Sequence, residues 1–203
     1  MSKEDREVRC RMLGLELRAA KDGASSPGTM VGYAAVFDKF SEDLGYFREK
    51  IAPGAFSDAL ARSDVRALKN HDPNNLLGRL KAGTLRLHED EVGLRVEIDL
   101  PDTQLGRDTA EEMRRGDMDG QSFSFTTDVD QWDYSGDVPI RTLVKVRDLY
   151  DVGPVTFPAY TQTSAAMRSL EANRPAAAPP AESRDLLSGA WLRQRLAEAY
   201  ASI

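Results

Sequence analysis

Between residues 85 and 100 the chain alternates apolar and polar side chains twice over, with a turn in between. Leu85 and Leu87 alternate with Arg86 and His88; after residues 89–93, Leu94, Val96, Ile98 and Leu100 alternate with Arg95, Glu97 and Asp99. A period of two puts every apolar residue on one side of the strand pair, so the segment reads as a hairpin with one dry and one wet face. A dry face needs a second layer, and the rest of the chain supplies strand-length apolar runs for it. They lie at residues 30–37, 65–68, 122–129, 140–146 and 149–155, with weaker extended patterns at 12–17 and 46–51. Two stretches read as helices. One is short, at 55–61 after Pro53-Gly54; the other spans 103–115, with Leu105, Thr109 and Met113 spaced by four and Gly116 placed to close it. Residues 1–11 are charged and expected to fray, and 130–137 reads as a polar loop. The expected fold class is mainly β with flanking helices (α+β), in a β-barrel or a strongly bent sheet.

At 203 residues the chain suits one domain with extensions. The sequence divides into a domain over residues 1–170, a Pro/Ala-rich linker over 171–183 and a helical tail over 184–203, whose apolar residues fall on two blurred seams. The net charge is −6. An acidic body without a basic stripe argues against nucleic acid as the main partner. The single cysteine, Cys10, allows no intramolecular disulfide and fits a reducing compartment. Two histidines and one cysteine leave little for a zinc site. No run approaches the ~20 apolar residues of a membrane span, and the N-terminus lacks a signal-peptide stretch, so the chain is expected to be cytoplasmic and soluble.

Three short stretches carry chemistry: Lys69-Asn70-His71-Asp72, Gly120-Gln121-Ser122-Phe123-Ser124-Phe125, and Asp151-Val152-Gly153-Pro154-Val155-Thr156-Phe157. In order they offer an imidazole at a strand end, a hydroxyl opening a strand, and an acid on a later strand. A serine hydroxyl becomes a useful nucleophile when an imidazole takes its proton, and the imidazole works best when a third group fixes its tautomer. His71 follows a strand directly, where rigid elements hold functional loops; a surface loop histidine beside Asp72 is the structural alternative. His88 falls on the wet face of the hairpin and is expected to be idle. Ser122 and Ser124 point to the same side of their strand, so spacing alone does not choose between them. Asp151 sits in an apolar context and needs a partner if buried; Asp148 is its rival three residues earlier. Cys10, between Arg9 and Arg11, reads as a bystander.

With these segments in order, the chain resembles the tailed-phage (caudoviral) prohead maturation serine proteases, a family related in fold to the herpesvirus assemblins. The resemblance runs from about Gly14 to Leu170. It is carried by Gly32-Tyr33-Ala34-Ala35-Val36-Phe37-Asp38, Glu49-Lys50-Ile51-Ala52-Pro53-Gly54-Ala55-Phe56, Asn70-His71-Asp72, Leu77-Gly78-Arg79 and Gly93-Leu94. Gly116 ahead of Ser122-Phe123, and Asp151-Val152 running into Val155-Thr156-Phe157-Pro158-Ala159, complete it. The family usually has glycine where Ser124 stands, a larger apolar residue where Gln121 stands, and often Glu where Asp151 stands.

The resemblance implies an assemblin-like bent β-barrel and a serine endopeptidase with His71, Ser122 and Asp151 as base, nucleophile and orienting acid, Ser124 having no assigned role. Backbone amides near residues 77–79 are the candidate oxyanion donors. It implies no metal and no cofactor. Substrates would be the major capsid protein and scaffold segments, with self-cleavage and a homo-oligomer as further expectations; nucleic acid and membrane are not partners. The place of action would be the procapsid in the host cytoplasm, with the tail as a packaging handle or a removable segment. The rival from another class is a non-enzymatic assembly or scaffolding factor that retains the barrel. A small-molecule or nucleic-acid binding barrel is disfavoured by the acidic body.

Overall fold

A computed structural model describes residues 6–12, 14–20, 26–44, 46–157 and 164–174. The expected tail over 184–203 and most of the linker lie outside the described residues. Among the described residues there are ten strands: β1 (Glu7–Met12), β2 (Glu16–Arg18), β3 (Thr29–Val36), β4 (Arg48–Ile51), β5 (Arg66–Leu68), β6 (Leu76–Arg79), β7 (Leu85–Glu89), β8 (Gly93–Asp99), β9 (Gly120–Asp133) and β10 (Ile140–Val155). The same residues include three α-helices, α1 (Ser57–Arg62), α2 (Gln104–Arg115) and α3 (Ser164–Ala172), and two short 3-10 turns at Lys69–His71 and Leu80–Ala82. Helix α3 runs to Ala172, so residues 171 and 172, placed in the linker by the sequence, are helical.

The strands form two sheets. One runs β1-β9-β10-β5-β6 with β4 also on β10, and the other runs β2-β3-β8-β7. The expectation of a mainly β fold with a few helices holds. The closed barrel does not: among the described residues the two sheets are separate, because β9 and β10 pair with each other and with β1, β4 and β5 but not with the hairpin sheet. The hairpin itself is as read, with β7 and β8 antiparallel from Leu85↔Ile98 to Glu89↔Leu94. Its dry face supplies Leu85, Leu94, Val96 and Ile98 to a core shared with Met30, Phe56, Phe123, Phe125, Leu149 and Val152. Phe56 meets Phe123 edge-on at 5.5 Å, and Phe123 stacks on Phe125 at 4.9 Å. Aromatic pairs of this geometry add to the area they bury. Helix α2 starts at Thr103, whose side chain accepts the Gly106 N–H, and stops at Gly116 with φ 77°, the left-handed closure that glycine adopts without strain.

β10 is the spine of the larger sheet. Its first residues pair with β4, its last with β5, and β9 lies along its other edge throughout. The expected break between residues 146 and 149 is a series of register shifts between Leu143 and Asp151. Bulges of this kind bend a strand without ending it.

β1 was expected to fray. It is an ordered strand because the side chains of Glu7 and Arg9 are buried together. Arg9 bonds Glu49 (2.7 and 2.9 Å) and Glu7 (2.8 Å); Arg141 bonds Glu7 (2.7 Å), Glu49 (3.0 Å) and Asp130 (2.7 Å). This cluster ties β1, β4, β9 and β10 together. Burial would push the Glu7 carboxyl up, but the Arg141 hydrogen bond and the charges of Arg9 and Arg141 outweigh it and bring it down to about 2. Between its ordinary value of 4.5 and 2, the unfolded chain then binds more protons at this site than the folded one. Stability therefore falls as pH falls through that window, by up to about 3 kcal/mol from Glu7 alone. Urea denaturation from pH 5 to 2 should show this fall. Glu7→Gln should start less stable, since it breaks a buried ion pair, and should respond less to acid.

Gln121 is a local conflict. Its side chain is buried next to β3, and neither Oε1 nor Nε2 has a hydrogen-bond partner among the described residues. A β-carbon at Gly32 would come within 2.9 Å of that Oε1, so the amide fills the space that the glycine leaves. An unsatisfied buried amide costs about 1–3 kcal/mol. Gln121→Met, of similar length, is expected to raise the thermal midpoint by several degrees. An unchanged or lower midpoint would mean that the amide is satisfied or that its shape matters more.

Candidate active site

β9, β10 and the turn after β5 bring the three sequence candidates together. In β9, Phe123 and Phe125 point into the core, so Ser122 and Ser124 face the other way. In the antiparallel register of β9 and β10, Ser124 lies opposite Asp151 and Ser122 opposite Gly153. β5 runs parallel to β10, with Arg66 beside Asp151, and leads into a 3-10 turn at Lys69–His71.

That turn contains two successive left-handed residues, Asn70 (φ 55°) and His71 (φ 56°). Side chains seldom sit there, and strain of this kind is held by surrounding bonds. Here Asn70 supplies them: its Oδ1 accepts the Thr156 N–H at 2.8 Å and its Nδ2 donates to Thr156 Oγ1 at 3.2 Å. Lys69 Nζ donates to Glu112 Oε2 of α2 at 2.5 Å. Gly153 allows the approach, because a β-carbon there would fall 2.0 Å from the Leu68 carbonyl oxygen.

The result is a continuous chain of side chains. Ser122 Oγ lies 2.6 Å from His71 Nε2, and His71 Nδ1 lies 2.5 Å from Asp151 Oδ1. Ser122 and Asp151 are each 1% exposed, whereas the His71 side chain is 22% exposed. The imidazole is thus the member that meets solvent. Burial pushes the Asp151 carboxyl up, but hydrogen bonds from His71 and Ser124, with the charges of His71 and Arg6, hold it below the usual aspartate value. An ionised acid at Nδ1 fixes the tautomer that leaves Nε2 free to accept a proton. Ser122 Oγ is also 2.8 Å from the Arg9 carbonyl of β1. Its one proton therefore has two acceptors in the resting protein.

The rival positions fall elsewhere. Asp148 faces Arg62 (3.7 Å) and Thr126 (3.4 Å), and His88 is exposed on β7. The Arg79 N–H, one of the candidate oxyanion donors, is occupied by Thr84 Oγ1 at 2.9 Å. Among the described residues no group of His, Cys, Asp and Glu is arranged to hold a metal ion. Two contacts escaped the sequence reading: Ser124 Oγ lies 2.5 Å from Asp151 Oδ2, and Arg6 Nη2 bonds the same oxygen. The first was foreshadowed by the two-residue spacing of the serines; the second had no local signal.

A family model described as caudovirus prohead serine protease matches residues 14–175. The chain belongs to that family. This prohead protease is a serine peptidase of phage capsid maturation. Among solved structures, the bacteriophage T4 capsid assembly protease, gp21, has a similar fold, with a TM-score of 0.50 at 10% identity. The likeness covers 77% of this chain and all of that one. No curated protein sequence matches. The matched segment begins after β1, so the strand that supplies Arg9, and Arg6 before it, lie outside it. Among the described residues no helix is long and apolar enough to cross a membrane.

Proposed function

We propose that the prohead protease works through a Ser122-His71-Asp151 triad. The observation that supports this most directly is the unbroken hydrogen-bond chain, 2.6 Å from Ser122 Oγ to His71 Nε2 and 2.5 Å from His71 Nδ1 to Asp151 Oδ1. Ser122 Oγ attacks the scissile carbonyl carbon as His71 Nε2 takes its proton. The imidazolium, stabilised by ionised Asp151, then gives that proton to the leaving amine. The acyl-enzyme is hydrolysed by water, which loses a proton to His71 as the base again, and the imidazolium returns that proton to Ser122 Oγ as the acid product leaves. Backbone amides stabilise the oxyanion; of those at residues 77–79, Arg79 is engaged by Thr84 and Gly78 stands opposite Ala67 in the β5–β6 ladder, which leaves Leu77 as the candidate.

The substrates are the major capsid protein and scaffold segments, cleaved inside the procapsid in the host cytoplasm, and the enzyme cleaves itself as well. The two-sheet fold is related to the assemblins, and the active form is a homo-oligomer. Co-expression with the capsid protein tests the substrate assignment. The wild-type chain should generate new N-termini on the capsid protein and on itself, and Ser122→Ala should generate neither. Intact capsid protein in both cases would reject the assignment.

A further inference from the structure

We infer that Ser124 and Arg6 are positioning residues that hold the second carboxylate oxygen of Asp151, so that the first stays aimed at His71. The inference rests on the triad reading above and extends it to residues which that reading leaves idle.

Asp151 is almost wholly buried, and a buried ionised carboxylate needs donors on both oxygens. Oδ1 is taken by His71 at 2.5 Å. Oδ2 receives the Ser124 hydroxyl at 2.5 Å and the Arg6 guanidinium. The Ser124 oxygen in turn accepts from Arg6 Nη2 at 2.6 Å and Nε at 3.1 Å. The hydroxyl therefore donates once and accepts from one guanidinium, and the donors run from Arg6 through Ser124 to Asp151. Linked hydrogen bonds of this kind polarise one another.

The backbone makes the grip stiff. Ser124 is 0% exposed and stands directly across the β9–β10 ladder from Asp151, so its position follows from the strand pairing. The terminal torsion of an aspartate is otherwise broad and nearly two-fold. A donor fixed on Oδ2 stops the carboxylate from turning about that bond and swinging Oδ1 away from the ring. Arg6 is the softer half: its side chain is 41% exposed, and its guanidinium lies 4.8 Å from the centre of the Tyr150 ring. Its charge is partly screened, so its contribution should be the smaller.

The test uses the full chain and a fluorophosphonate probe, measuring the rate of Ser122 labelling, together with proton NMR of the His71 Nδ1–H. Ser124→Ala should slow labelling about tenfold, and Arg6→Ala about twofold, and both should move the Nδ1–H resonance. Arg6→Lys should recover part of its loss. In an Asp151→Asn background, Ser124→Ala should have no further effect, because there is no carboxylate left to position. Exposed Arg6 can be changed without threat to folding, so the test stands even if Ser124→Ala is unstable. Wild-type rates with an unmoved resonance in Arg6→Ala and in folded Ser124→Ala would overturn the inference while leaving the triad intact. So would full additivity with Asp151→Asn. Wild-type labelling of Asp151→Asn alone would instead overturn the triad reading on which the inference rests.

Discussion

Ser122→Ala and His71→Ala should each abolish capsid-protein cleavage, and the double variant should be no worse than either. Residues that act as a unit lose their effect together; in a well-studied serine protease the loss for either is about 10⁶ in turnover. Neither change should unfold the chain. Ser122 contributes one hydroxyl on a strand already held by β1 and β10, and its apolar neighbours Phe123 and Phe125 carry the packing. His71 sits in a turn that is fixed by Asn70, Thr156 and Glu112 rather than by its own ring. His88→Ala, at an exposed position on β7, is the matched control and should cleave as the wild type does. Product N-termini read by mass spectrometry, alongside thermal midpoints, separate lost chemistry from lost fold.

Asp151→Asn should fold and turn over far more slowly, by about 10²–10⁴. An amide at this position can present its NH₂ to His71 Nδ1, which places the ring proton on Nε2. A protonated Nε2 no longer accepts from Ser122 Oγ, 2.6 Å away. Asp148→Asn removes a carboxylate that faces Arg62 and Thr126 instead and should be mild. If Asp151→Asn processes capsid protein at the wild-type rate, the enzyme runs on a Ser-His dyad and Asp151 serves the fold.

Local periodicity made much of the fold readable. The hairpin of β7 and β8, strand β3 and helix α2 each bury a face whose spacing is visible in the residues, and each lies where the pattern placed it. β1 was not readable, because its inward residues Glu7 and Arg9 look like solvated charge until Glu49, Asp130 and Arg141 close around them. Pairings between residues far apart in the chain, such as Cys10 with Ser122, leave no local trace. That is why separate sheets could not be told from a barrel. In the site, the residue types of the three proposed catalytic members were legible, and so was the shared face of Ser122 and Ser124. The left-handed turn that aims His71 was not, and neither was Arg6, since both depend on bonds made across the sheet.

The most direct test of the account is to react the full chain, co-expressed with its capsid protein, with a fluorophosphonate and to locate the adduct by peptide mapping. A Ser122 nucleophile activated by His71 should give one adduct, on Ser122, absent from Ser122→Ala and much slower to form in His71→Ala. An adduct on Ser124 or on another residue, or labelling that persists at full rate in His71→Ala, would contradict it.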